Sequence, residues 1–147
     1  MVQIRKASEK DLPRLVEIFR VSRQELLPFL PILHTREQDF AHLKDLWGRG
    51  EIFVGILADQ IAGFLVQIDH WIAHLYVHPT AIERGVGKAL LDHAKGRAVK
   101  LELWCFEDNM RARAFYEAQG FECVRKTDGD NEEGLPDRLY RWHRARY

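Results

Sequence analysis

Two glycines two residues apart, Gly85 and Gly87, stand between Arg84 and Lys88 at the head of a run that reads as an amphipathic helix. Residues of these types in this order do one kind of chemistry well. The first turn of a helix leaves its N–H groups unpaired and carries about half a positive charge, and glycines there let a ligand reach the backbone. The stretch therefore predicts a bound anion. A nucleoside-triphosphate loop, GxxxxGK[ST], is excluded, because alignment on Gly87-Lys88 demands glycine at Ile82 and a hydroxyl at Ala89. A dinucleotide fingerprint fits poorly too: Leu90 stands where the third glycine belongs, and seven residues separate Val77 from Gly85.

Titratable side chains cluster just upstream at Asp69, His70, His74 and His78. His74 falls within a strand-like run and has an ordinary pKa suited to taking a proton near neutrality. The four-residue spacing of the three histidines would chelate a metal on a helix, but an extended strand separates them by about 13 Å each, so no metal site is expected. The acidic stretch Thr127 to Asp137, TDGDNEEGLPD, is expected to be a hairpin connection. A calcium loop of the EF-hand type would need glycine at Glu133 and glutamate at Leu139.

Periodicity supplies the elements that must position these residues. Val2 and Ile4 alternate around Gln3 as in a strand, Ser8 or Asp11 can cap a helix, and Leu12, Leu15, Val16 and Phe19 share one helical face. Pro28 and Pro31 stop that helix. Thr35-Arg36-Glu37-Gln38 forms a capping box for a second helix, with Phe40, Leu43 and Trp47 on its buried side and Gly48 and Gly50 at its end. Three apolar runs from Glu51 to Pro79 predict an antiparallel meander. A helix from about Gly85 to Ala98, the strand KLELWCF, the helix MRARAFYEAQ, the strand FECVRKT and a last strand around RLYRW complete the order β α α β β β α β α β β. That order suits one α/β domain over residues 1–147, a mixed central β-sheet flanked by about four helices.

Composition narrows the function classes. The 147 residues are 46% hydrophobic, enough for a core, and 22 basic side chains balance 22 acidic ones. A neutral chain lacks the basic field that gives general affinity for nucleic acid, so no nucleic-acid partner is expected. Cys105 and Cys123 form no CxxC pair, the start MVQIRKASEK has no apolar signal region, and no run approaches a bilayer span, so a cytoplasmic protein without a membrane partner is expected.

The stretch LYVHPTAIERGVGKALLDHA resembles the signature of the GNAT superfamily of N-acetyltransferases, [QR]-x-x-G-x-[GA] after a strand. Gly85 and Gly87 are kept, whereas Ile82 stands where glutamine or arginine is usual and leaves Arg84 to supply the cationic contact. A second segment, EDNMRARAFYEAQGFE, is similar to the superfamily's N-x-x-A-x-x-F-Y-x-x-x-G-F through Asn109, Ala112, Phe115, Tyr116, Gly120 and Phe121. The element order matches as well, so the resemblance covers essentially the whole chain. It implies a GNAT-like fold and acetyl-CoA as the bound group: Leu75, Tyr76 and Val77 for the pantetheine arm, backbone N–H groups of Arg84, Gly85, Val86, Gly87, Lys88 and Ala89 for the pyrophosphate, and Asn109, Ala112, Phe115 and Tyr116 as further cofactor-binding residues.

The chemistry so implied is attack of a neutral amine on a thioester. A lysine-like amine is neutral only about one part in a thousand near pH 7.4, a penalty of roughly 4 kcal/mol. The resemblance makes Tyr116 the acid that protonates the departing thiolate, and His74 is the candidate base. Acceptor choice is assigned to two segments, ELLPFLPILHT and the acidic Thr127–Asp137 loop, which suit an amine on a small molecule or a peptide; Phe29, His34 and Trp71 offer an apolar frame. Direct transfer in a ternary complex is expected, since neither cysteine lies in a nucleophile motif. The alternatives are a non-catalytic acyl-CoA binding or sensing module and an interaction domain without cofactor. Many relatives dimerise through edge strands or the C-terminal strand, and the tail YRWHRARY leaves a homodimer open.

Overall fold

Alternation of apolar residues in the meander gives strands with two buried faces. In the computed structural model, which describes residues 1–145, β1 (Gln3–Lys6), β2 (Glu51–Leu57), β3 (Gln60–Ile68), β4 (Trp71–Val77), β5 (Lys100–Phe106), β6 (Glu122–Thr127) and β7 (Asp137–His143) form one sheet in the order β1-β2-β3-β4-β5-β7-β6. Among the described residues only β4 and β5 run parallel; every other neighbouring pair is antiparallel. The last two residues of the tail, Arg146 and Tyr147, lie outside the described residues.

Among the described residues four α-helices cover the sheet, and the residue pattern decides which face each takes. Ile52, Val54, Phe64 and Val66 point to α1 (Leu12–Leu26) and α2 (Arg36–Arg49), meeting Leu15, Phe19, Leu43 and Leu46. Their chain neighbours Phe53 and Leu65 point the other way, to α3 (Val86–Lys95) and α4 (Met110–Ala118), where Leu90, Leu91 and Tyr116 complete a second core. The β6–β7 connection is the expected hairpin.

Local chemistry fixes the ends. Thr35 accepts from Gln38 N–H while the Gln38 side chain accepts from Thr35 N–H, the expected capping box. Asp11 accepts from Arg5 and from Ser8, which seats β1 against α1. Three expectations shift. Trp47 is 37% exposed and its neighbour Leu46 fills the core, because the buried stripe of α2 follows Leu43 by three residues. The third helix ends at Lys95, where Gly96 caps it, rather than near Ala98, and β1 extends to Lys6 because β2 supplies partners as far as Phe53. Both cysteines are free, Cys105 buried and Cys123 half-buried. No helix among the described residues is long and apolar enough to cross a membrane.

Candidate active site

The site begins where the two parallel strands part. β4 and β5 share a single paired position, Trp71 with Glu102, closed by the Glu102 N–H donating to His70 O at 2.9 Å. A charge cluster locks this closed end. The Glu102 carboxylate accepts from Arg141 at 3.0 Å and from His70 Nε2 at 2.8 Å. Burial would raise its pKa, but the hydrogen bonds from Arg141 and His70 outweigh that and hold it below the ordinary range. Beyond it the strands diverge and a cleft opens.

A β-bulge decides what β4 shows to that cleft. Val66 pairs with His74 and Gln67 with Ile72, which leaves Ala73 as the extra residue. Ile72, Leu75 and Val77 consequently all pack on the α3 and α4 side, whereas His74 and Tyr76 stack on Phe19 of α1, with ring centroids 5.2 Å and 5.1 Å away. His74 does not line the cleft. Its Nε2 shares a hydrogen bond of 2.9 Å with His42 Nε2, and burial, then the charges of His42 and Arg23, push its pKa down to about 3.

The anion end is built by the turn after β4. Gly85 adopts φ +85° as N-cap of α3, a conformation that favours glycine, and Ala89 N–H closes the first helical bond onto Gly85 O at 3.0 Å. The N–H groups of Val86, Gly87 and Lys88 precede that bond and have no intrahelical acceptor. Gly87 presses against the second wall: a Cβ there would stand 3.5 Å from Phe115 Cζ. The helix can approach so closely because Gly55 and Gly63, paired across β2 and β3, leave a seat for Val86. Sequence reading missed this seat, although two glycines inside apolar strands are a signal for close approach.

The second wall is α4, whose start is set by Asn109: its side-chain oxygen accepts from Ala112 N–H at 3.2 Å, an N-cap. Tyr116, 8% exposed, ends this wall against Phe121 and Tyr140. Burial first, then nearby Cys105 and Tyr76, raise its phenol well above the ordinary range, so it stays a hydrogen-bond donor at neutral pH. Burial likewise pushes the Cys105 thiol up to about 12, which leaves it protonated and a poor nucleophile.

Between these walls lies a cleft of about 780 Å³ that draws lining from both faces of the sheet, Ser22 and Leu26 of α1 on one side and Phe115 and Tyr116 of α4 on the other. Of the residues singled out from sequence, Leu75, Tyr76, Val77, Gly85, Val86, Gly87, Lys88, Asn109, Ala112, Phe115 and Tyr116 line it together. Arg84 and Ala89 do not, and the N–H of Ala89 is spent on Gly85. Glu83 and Arg111 line it unforeseen. An extended apolar channel ending on open N–H groups fits a long ligand with phosphates at one end.

On the α1 side the two loops assigned to the acceptor meet. His34 pairs with Glu132, and Phe29 stacks on Phe106 at 6.2 Å. Arg23 joins them to the cleft, donating from Nη1 to Tyr76 Oη at 2.9 Å and from Nη2 to Glu133 at 3.1 Å. Arg23 was also unforeseen from sequence; a guanidinium next to Ser22 on the inward face of α1 is the signal that it has a buried partner.

The acetyltransferase (GNAT) family model matches residues 13–121, a span that contains the anion turn and the Tyr116 wall. The chain belongs to the acetyltransferase (GNAT) family. It is an N-acetyltransferase, and acetyl-CoA is the acetyl donor of this family. Among relatives, it is 29% identical over 141 residues to the peptidyl-lysine N-acetyltransferase YiaC of Escherichia coli, covering 95% of each chain. It is 25% identical over 132 residues to the peptidyl-lysine N-acetyltransferase YjaB of Salmonella typhimurium, covering 89% of this chain and 90% of that one. The fold matches the solution structure of apo-form YjaB from Escherichia coli, with a TM-score of 0.81 at 23% identity over 99% of each chain. It also matches the PaiA N-acetyltransferase of Thermoplasma acidophilum in complex with coenzyme A, with a TM-score of 0.77 at 20% identity over 98% of this chain and 99% of that one.

Proposed function

We propose that residues 1–147 act as one domain that acetylates a cationic amine, a peptide lysine foremost, by direct transfer within a ternary complex in a reducing cytoplasm. The observation that carries this reading is the cleft's passage through the sheet: donor and acceptor can approach the opening between β4 and β5 from opposite faces. Glu132 and Glu133 place acidic charge on the acceptor side, which favours a cationic partner. The names of YiaC and YjaB make a peptide lysine the first acceptor to try.

When bound, acetyl-CoA supplies an acetyl group activated as a thioester. Leu75, Tyr76 and Val77 hold the extended arm along β4, and the free N–H groups of Val86, Gly87 and Lys88 hold phosphate. As the N–C bond forms and the C–S bond breaks, Tyr116 donates its hydrogen bond to the leaving sulfur. Its raised pKa makes complete transfer of the proton uphill, so its part is to stabilise the developing thiolate by that hydrogen bond, and the thiolate takes its proton from water. His74 takes no part as base in this scheme. An imidazole held near 3 gains little from a proton at neutral pH, and the bulge turns it towards α1, so the amine proton passes to water at the acceptor end.

Incubation with acetyl-CoA and a lysine peptide should release thiol and add one acetyl group to a lysine, read by mass. Tyr116→Phe should lower kcat by about 100-fold while the Kd for acetyl-CoA stays within twofold. A chain that binds acetyl-CoA and transfers to no amine would be a binding module, and the enzymatic reading would fall.

A further inference from the structure

The phosphate end of the cleft has few cations of its own. Ile82 brings no charge, Arg84 does not line the cleft, and Lys88 is paired with Asp92 at 2.6 Å one turn along α3. A cation does reach this end, but from the opposite wall: Arg111, in the first turn of α4, donates from Nη2 to Glu83 Oε1 at 3.0 Å. The pair spans the mouth of the cleft, from the turn before α3 to the start of α4.

Both members sit where local preference opposes them. A cation in the first turn of a helix faces the positive end of its dipole, so Arg111 does nothing for α4. Glu83 holds φ +62°, a conformation that side chains other than glycine, asparagine and aspartate avoid, and it puts a carboxylate beside a turn whose backbone attracts anions. The pair is also weakly held, with 48% and 79% of the two side chains exposed. A carboxylate at that spot occupies the guanidinium as a ligand phosphate would.

We infer that Arg111 is the side-chain cation for the phosphate groups of the coenzyme, and that Glu83 is its internal counter-ion, exchanged for phosphate on binding. This rests on the cleft being the acetyl-CoA site. An exposed carboxylate pair gives way readily to a phosphate, which carries more charge and can accept two parallel N–H bonds from a guanidinium. Arg111 thereby closes the anion end from α4 while the N–H groups of α3 hold it from the other wall.

Titration calorimetry with acetyl-CoA at two salt concentrations tests this, with unfolding temperatures as a check on folding. Arg111→Gln should weaken binding about tenfold and reduce its salt dependence, whereas Glu83→Gln should tighten binding about threefold. In the double variant the gain from Glu83→Gln should vanish, because Glu83 acts through Arg111. Repeating the series with 3′-dephospho-CoA separates the phosphates: loss of the Arg111 effect assigns it to the 3′-phosphate, and persistence assigns it to the pyrophosphate. Wild-type binding of acetyl-CoA with Arg111→Gln unchanged within twofold overturns the inference alone. No binding by the wild type removes the coenzyme site and the inference with it.

Discussion

Replacing Gly63 by alanine tests whether the anion turn is seated by the sheet beneath it. A Cβ at Gly63 would stand 2.9 Å from the backbone oxygen of Tyr76 and 2.9 Å from Val86 Cγ1, with Val77 Cγ2 at 3.3 Å. One of those contacts is backbone, so rotamer changes alone cannot clear it. Either β4 or the first turn of α3 must retreat by about 0.5 Å, a strain that costs about 1–3 kcal/mol in a packed core. For a chain of this length that lowers Tm by roughly 3–10 °C. The same retreat separates the wall at Tyr76 and Val77 from the N–H groups that start α3, and a loss of about 1.4 kcal/mol in binding would weaken acetyl-CoA tenfold. Gly87→Ala is the contrast. Its Cβ would meet Phe115 at 3.5 Å and Val77 at 3.7 Å, both ordinary contacts, and its φ is not in the left-handed region, so stability should hold or rise by about 0.4–1 kcal/mol. Affinity should nevertheless fall, because the new methyl stands where phosphate must approach the backbone. Thermal unfolding and calorimetry on the two variants should therefore dissociate: both properties fall for Gly63→Ala, affinity alone for Gly87→Ala. A Gly63→Ala protein with wild-type Tm and affinity would refute the seat.

Two further outcomes follow from the acceptor face. Glu133→Gln should raise KM for a cationic lysine peptide about fivefold and leave the acetyl-CoA Kd unchanged, whereas an unchanged KM would mean that the loop charge does not select the acceptor. His74 has a folded pKa depressed to about 3 against about 6.5 unfolded, so the unfolded chain binds this proton more readily, and its contribution is full above pH 6.5 and lost as pH falls towards 3. Stability should drop by about 2 kcal/mol between about pH 7 and pH 5 on this account, and His74→Gln should flatten that part of the Tm profile; an unchanged profile would refute the assignment.

Elements were legible in the sequence where a local rule decides them. Thr35 and Gln38 cap each other across three residues, so that end could be read without knowing what packs on it. Residues whose role depends on a second element were not. Trp47 and Leu46 are neighbours near the end of α2, and which one is buried depends on where β2 and α1 lie. The strand pattern gave no sign of the bulge at Ala73, yet that single extra residue puts His74 and Leu75 on the faces they occupy. Ile82 stands at the motif's cationic position and Arg84, the cation next to it, does not line the cleft, while Arg111 and Arg23 act on partners 28 and 110 residues away in the chain.

The same distinction explains how a short helix can serve both ends of the reaction. Asn109 fixes where α4 starts, and helical spacing then sends Arg111 to the mouth of the cleft, Phe115 against Gly87 and Tyr116 to the place where the strands part. Phe115 and Tyr116 are adjacent, so the contact that sets how closely α4 approaches α3 also sets the position of the phenol. On the other side Val86 fixes α3 to the glycine seat in β2 and β3. The groups proposed to bind the coenzyme and the proposed hydrogen-bond donor to the leaving sulfur are thus referred to one sheet through two helices, and a displacement at the seat reaches Tyr116 through Gly87 and Phe115.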